Sequence, residues 1–108
     1  MKLLVHSDNP VKLRDAIENY LKSDESIWLY IDDYKTNVGT TRPVFTHKSK
    51  NYKDKAKFVV YAQSDSNRIL FYFTDKESSQ VEAQYMGMLI PLIMNNFPSN
   101  FTSISVEK

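Results

Sequence analysis

Apolar residues recur along this chain in two rhythms, one of period two and one of period three to four. The period-two segments predict strands. Lys2 to His6 is a short apolar run that reads as a first strand. From Lys57 to Gln63, Phe58, Val60 and Ala62 alternate with Val59, Tyr61 and Gln63. From Arg68 to Thr74, Ile69, Phe71 and Phe73 alternate with Leu70, Tyr72 and Thr74. Ser64-Asp65-Ser66-Asn67 between these two runs has turn composition, so they predict a hairpin. Ile27 to Tyr34 starts apolar on both faces, which predicts a central strand or one covered on both sides. Lys35 to Thr41 reads as a loop around Gly39. Val44 to His47 predicts a short edge strand opened by Pro43, and the polar run from His47 to Lys55 a mobile hairpin tip. Phe101 to Val106 predicts the last strand, with Thr102, Ile104 and Val106 on one face.

Two segments carry the helical rhythm. Leu13, Ile17, Tyr20 and Leu21 form one stripe after Asp8-Asn9-Pro10, where Asn9 suits a cap and Pro10 the first helical position. Arg14–Glu18 and Glu18–Lys22 are spaced as i,i+4 pairs on the wet side, and Ser23 to Ser26 ends the helix. Thr74-Asp75-Lys76-Glu77 has capping-box spacing, so a second helix is expected to begin near Lys76. Val81, Tyr85, Met88, Leu89 and Leu92 are its core stripe. Pro91 predicts a kink or break, and Pro98 closes the helix.

The element order β-α-β-(β)-β-β-α-β predicts an α+β fold. The expected form is a two-layer sandwich, with a mainly antiparallel sheet of four to six strands and both helices on one face. A ferredoxin-like variant with an inserted hairpin is one arrangement this order permits. The 108 residues suit one domain, with a basic hairpin insertion around 42–57.

Charge changes this picture most. Arg42 to Lys57 holds six of the 14 Lys and Arg and one acid, a net of +5, against −4 for the rest of the chain. Arg42, Lys48, Lys50, Lys53, Lys55 and Lys57 are interleaved with Phe45 and Tyr52. That combination suits an anionic partner, either an acidic protein or a nucleic acid on which Tyr52 would stack. Lysine is a point charge that reads no base bidentately, so nucleic-acid binding here would be sequence-tolerant. The plain alternative is a solvated hairpin whose lysines protect an edge strand.

Other candidates carry less. His6, Asp8, Asp32 and Asp33 would gather at one sheet edge, suited to a divalent metal or acid–base work, if the first two strands were parallel neighbours. Their spacing matches no ligand motif, and a helix cap at Asp8 and a strand end at Asp32 and Asp33 account for them better. Met86 to Met94 is apolar all round, which the sheet on one side and the first helix or a loop on another would satisfy. The sharper alternative is a homodimer or partner surface, with Tyr85, Met86, Met88, Ile90 and Met94 as the candidate oligomer interface. With no cysteine, disulfides and thiolate chemistry are excluded, and two glycines leave no phosphate-cradling loop. The start MKLLVHSD is too short for a signal-peptide core, and the longest nearly apolar run is nine residues, Met86 to Met94. A soluble, cytoplasmic protein with no membrane contact is expected.

The functional expectation is a small cytosolic, non-enzymatic protein-interaction module of a regulator, inhibitor or immunity type. It would act through the basic hairpin, the apolar second helix or both, without a cofactor. The runner-up is a sequence-tolerant nucleic-acid binder using the same hairpin.

Overall fold

A computed structural model describes residues 1–108. The six strands are β1 (Lys2–His6), β2 (Trp28–Lys35), β3 (Thr41–His47), β4 (Ala56–Gln63), β5 (Arg68–Lys76) and β6 (Ser103–Glu107). They form one sheet in the order β2-β3-β4-β5-β1-β6, and every neighbouring pair is antiparallel. Helices α1 (Pro10–Lys22) and α2 (Ser79–Asn96) share the core on one face of it. The expected α+β two-layer sandwich is therefore present. No helix is long and apolar enough to cross a membrane.

Strand alternation makes the core. Leu3 and Val5, Phe58 and Val60, and Ile69, Phe71 and Phe73 point to the helices. There they meet Leu13, Ile17 and Leu21 of α1 and Val81, Tyr85, Met86, Leu89 and Ile93 of α2. The β4–β5 hairpin stands as its alternation predicts. Its tight connection is a single 3-10 turn, Ser64–Ser66, closed by Asn67 in the left-handed region (φ 49). The short asparagine side chain tolerates that conformation better than a branched one would.

Helix α1 starts as its sequence implies. The Asn9 side chain accepts from the Lys12 N–H at 3.3 Å, and Pro10 takes the first helical position. Its polar face differs from expectation. Glu18 is buried, 3.5 Å from Arg42 of β3, and Arg14 pairs with Asp15 instead. Burial pushes the Glu18 carboxyl above its ordinary range, and Arg42 opposes the shift.

Four expectations about position are corrected. β2 is an edge strand, not a central one. After Trp28 nearly every residue of it is exposed, and a bulge between Tyr30 and Asp32 interrupts its pairing. β3 is longer than expected and lies inside the sheet between β2 and β4. Pro43 is tolerated because β3 pairs with β4 in register only at Phe45–Phe58, so the Pro43 end needs no partner on that side. Helix α2 begins at Ser79, not near Lys76. The strand runs through Lys76, and the Ser78 hydroxyl caps by accepting from the Val81 N–H at 3.2 Å. Finally, Pro91 does not break α2. It is exposed, as is Gly87 four residues before it, so the carbonyl left without a helical donor faces water.

The joined strands also differ from a simple split β-α-β pattern. α2 links β5 to β6 with only β1 between them, but α1 links β1 to β2 across three strands. The ferredoxin-like arrangement is not confirmed for the molecule as a whole.

Candidate interaction surface

The connection from β3 to β4, residues 48–55, carries most of the basic segment. It is anchored, where the sequence suggested a mobile tip. Its own backbone forms a compact turn, with the Tyr52 and Lys53 N–H groups donating to the Ser49 carbonyl at 2.9 and 2.8 Å. Lys48 N–H donates to the Ile27 carbonyl at 2.9 Å, and Glu77 N–H donates to the Lys55 carbonyl at 2.7 Å. Asp54 sits in the left-handed region (φ 63), and its N–H donates to Thr46 Oγ1 at 2.9 Å.

Beneath the turn lies Tyr85 of α2. Its hydroxyl donates to the Tyr52 carbonyl, and it accepts from the His47 N–H at 3.4 Å. Thr46 Oγ1 lies 3.2 Å from it and 2.9 Å from the Ala56 carbonyl. Each hydroxyl has one proton. With Tyr85 committed to Tyr52, the Thr46 proton serves either Ala56 or the Tyr85 oxygen. Four rings pack around this point. His47 lies 5.1 Å from Trp28 and 5.2 Å from Tyr52, and Trp28 lies 5.4 Å from Tyr85. His47 Nδ1 accepts from the Ser49 N–H at 2.9 Å, which places the imidazole proton on Nε2. Burial lowers the His47 pKa from its ordinary value.

The sequence-derived residues divide accordingly. Lys50, Lys53 and Lys55 are exposed on the turn, and none of them makes an ion pair. Lys48 is exposed but donates its ammonium to the Ser26 carbonyl at 3.1 Å. Tyr52 is half-buried against His47 and Tyr85, so it is not the free stacking ring the sequence suggested. Arg42 stands at the other end of β3, roughly 20 Å along the strand, where it faces Glu18. Lys57 projects from β4 on the face without helices, opposite Asp75. The basic segment is thus three surfaces, of which the turn is the most charged.

The proposed gathering of His6, Asp8, Asp32 and Asp33 does not occur. β1 and β2 run parallel, but β3, β4 and β5 separate them, which is roughly 19 Å at ordinary strand spacing. No three His, Asp or Glu side chains converge as a metal site. The shallow hollow of about 180 Å³ beside Asp8 is lined by Ser7, Asn9, Lys12 and Asn100, among others. The Ser7 hydroxyl there is already engaged by the Asn9 N–H.

The expected α2 interface is also reduced. Tyr85 and Met86 are core residues, fully or almost fully buried. Met88 and Ile90 are half-buried against the core, and only Met94, 53% exposed, reaches solvent freely. The helix buries Val81, Tyr85, Met86, Leu89 and Ile93 in the core and leaves Gly87, Pro91 and Met94 on its exposed side.

Sequence reasoning missed the structural hub at Tyr85, Thr46 and His47. Its parts are 39 residues apart in sequence at the Thr46–Tyr85 contact. It also passed over the sheet face without helices. The apolar residues on both faces of β4 and β5 were the available signal. No protein-family model, curated protein or solved structure matches the chain.

Proposed function

We propose that the chain is a non-enzymatic binding protein of the cytosol whose contact element is the lysine-bearing turn, and whose partner presents an acidic protein surface. The observation that carries this reading is the anchoring of the turn. Lys50, Lys53 and Lys55 stand exposed and unpaired on backbone fixed by Tyr85, Thr46 and His47. A charged loop held in one shape loses less entropy on binding than a mobile one. Opposite charge then speeds encounter and sets the register of docking. The polar atoms that converge beneath the turn are spent on backbone partners, which supports a scaffold role for them rather than a chemical one.

A sequence-tolerant nucleic-acid binder is the second reading, favoured by the three exposed, unpaired lysines of the turn, Lys50, Lys53 and Lys55. The inward packing of Tyr52 weakens it, because the turn then offers no base a stacking ring. Affinity capture from lysate of the source cells, with and without nuclease, separates the two. The comparison is wild type against the triple variant Lys50→Glu, Lys53→Glu, Lys55→Glu. A protein retained after nuclease and lost with the variant supports the first reading. Nucleic acid retained by wild type, with co-captured protein lost after nuclease, supports the second. Equal capture by wild type and variant would overturn both.

A further inference from the structure

The sheet face turned away from α1 and α2 carries no helix. Alternation places Leu4 of β1, Val59 and Tyr61 of β4, and Leu70 and Tyr72 of β5 on it, each flanked by helix-side core residues. Leu4, Val59 and Leu70 are nevertheless buried, at 2%, 0% and 9% exposure. Tyr72 is 41% exposed, and its ring centroid is 6.2 Å from that of the half-buried Tyr61. What the centre of this face offers a partner is therefore aromatic, the Tyr72 ring and part of Tyr61.

Its rim carries both signs. Lys57 stands opposite Asp75, and Lys2 opposite Glu107, yet neither pair closes to an ion pair. Arg68 uses its Nε on Gln63 at 2.6 Å and has no carboxylate partner. An aromatic centre within a polar rim is the anatomy of a protein interface. The mixed rim argues against a polyanion and for a surface of mixed charge.

A second copy of the chain supplies that surface. Take a two-fold axis lying across the strands and passing over Phe71. It lays β5 antiparallel over β5 of the other copy, within the angle at which sheets stack. The accessible rings, Tyr61 and Tyr72 of each copy, then meet the same two rings of the other around the axis. The register offset between Lys57 and Phe58 leaves Thr74 as an extra residue and keeps Asp75 on this face, opposite Lys57. Arg68 of one copy therefore falls over Asp75 of the other, twice by symmetry. Within one copy these two residues are roughly 20 Å apart along β5 and cannot pair.

We propose that the face of the sheet without helices is a homodimer interface, closed by the Tyr61 and Tyr72 rings of both copies and by reciprocal Arg68–Asp75 ion pairs between copies. This is independent of the lysine turn, which lies at the end of the sheet and stays free.

Sedimentation velocity on the full chain at about 100 μM tests it, a concentration that populates dimers of micromolar affinity. Wild type is expected to sediment as a dimer. Arg68→Asp and Asp75→Arg should each raise the dissociation constant about tenfold or more, and the double swap should restore it. Tyr72→Lys should give a monomer. Circular dichroism and Trp28 emission verify folding of each variant, and the exposed positions of Tyr72 and Asp75 make that outcome expected. The triple lysine-turn variant should remain dimeric whatever becomes of the acidic-partner reading. A wild type monomeric at about 1 mM would overturn the proposal. So would a dimer indifferent to Tyr72→Lys, or a double swap no more dimeric than the single variants.

Discussion

A single phenolic oxygen organises the most charged part of this protein. Tyr85 joins α2 to the Tyr52 carbonyl, the His47 N–H and Thr46. Tyr85→Phe keeps the ring and removes the oxygen, leaving the Tyr52 carbonyl without its donor. The expected cost is about 1–3 kcal/mol, read by urea denaturation, with faster amide exchange from Ser49 to Lys55. Unchanged exchange there would mean that the turn holds itself. His47 gives a pH dependence with a definite sign. Its pKa is lowered in the folded state, so between the ordinary value of 6.5 and the folded value the unfolded chain binds more protons. Stability should fall as pH drops from 6.5 toward the folded value, because burial penalises the charged imidazole in the folded state. Glu18 acts oppositely. Its raised pKa favours the folded state below 4.5 and loses that contribution as pH rises through the folded value. His47→Gln removes only the first effect, so the difference between variant and wild type in urea melts across about pH 5 to 7.5 isolates it. Parallel curves would show that His47 does not titrate in that range.

Local signals in the sequence sufficed for some elements and not for others. Asn9-Pro10 opened α1 because the cap and the fixed proline φ act within one turn of chain. The alternation through Lys57–Gln63 and Arg68–Thr74 gave the hairpin because its pairing partner is five residues away. The start of α2 was misjudged because Thr74-x-x-Glu77 has capping-box spacing but is drawn into β5 by pairing with β4. β2 looked central because Ile27, Leu29 and Ile31 are apolar. They lie on an edge, where neighbours far away in sequence decide burial. Tyr52 was readable as an aromatic among lysines, but nothing local announces that Tyr85 draws it inward. Helix α2 itself carries two unfavourable residues in exposed positions. Pro91→Ala restores a donor to the Gly87 carbonyl and should stabilise by about 1–3 kcal/mol. A Cβ at Gly87 meets nothing within 4 Å, so Gly87→Ala should add about 1 kcal/mol. Thermal melts check both, and a loss of stability in Pro91→Ala would mean that the helix bends at Pro91 to fit the sheet.

At the scale of the whole molecule, the sheet is stitched from very different sequence distances. β4 and β5 meet across a short turn, whereas β1 pairs with β6 from Lys2–Glu107 to His6–Ser103, nearly the full chain apart. Closing that distance is entropically late, so β6 should dock after the folding barrier is crossed. Ile104→Ala is then expected to speed unfolding severalfold and leave the folding rate nearly unchanged, as stopped-flow chevrons would record. An equal slowing of folding would place β6 in the nucleus. The opposite side of the sheet is joined more loosely. β2 and β3 pair with each other along most of their length, but β3 meets β4 in register at the single rung Phe45–Phe58. Under load this makes a seam. A force applied at the Thr36–Thr40 turn would peel β2 and β3 away together as one ribbon, tearing at Phe45, and only then bear on the four strands that remain.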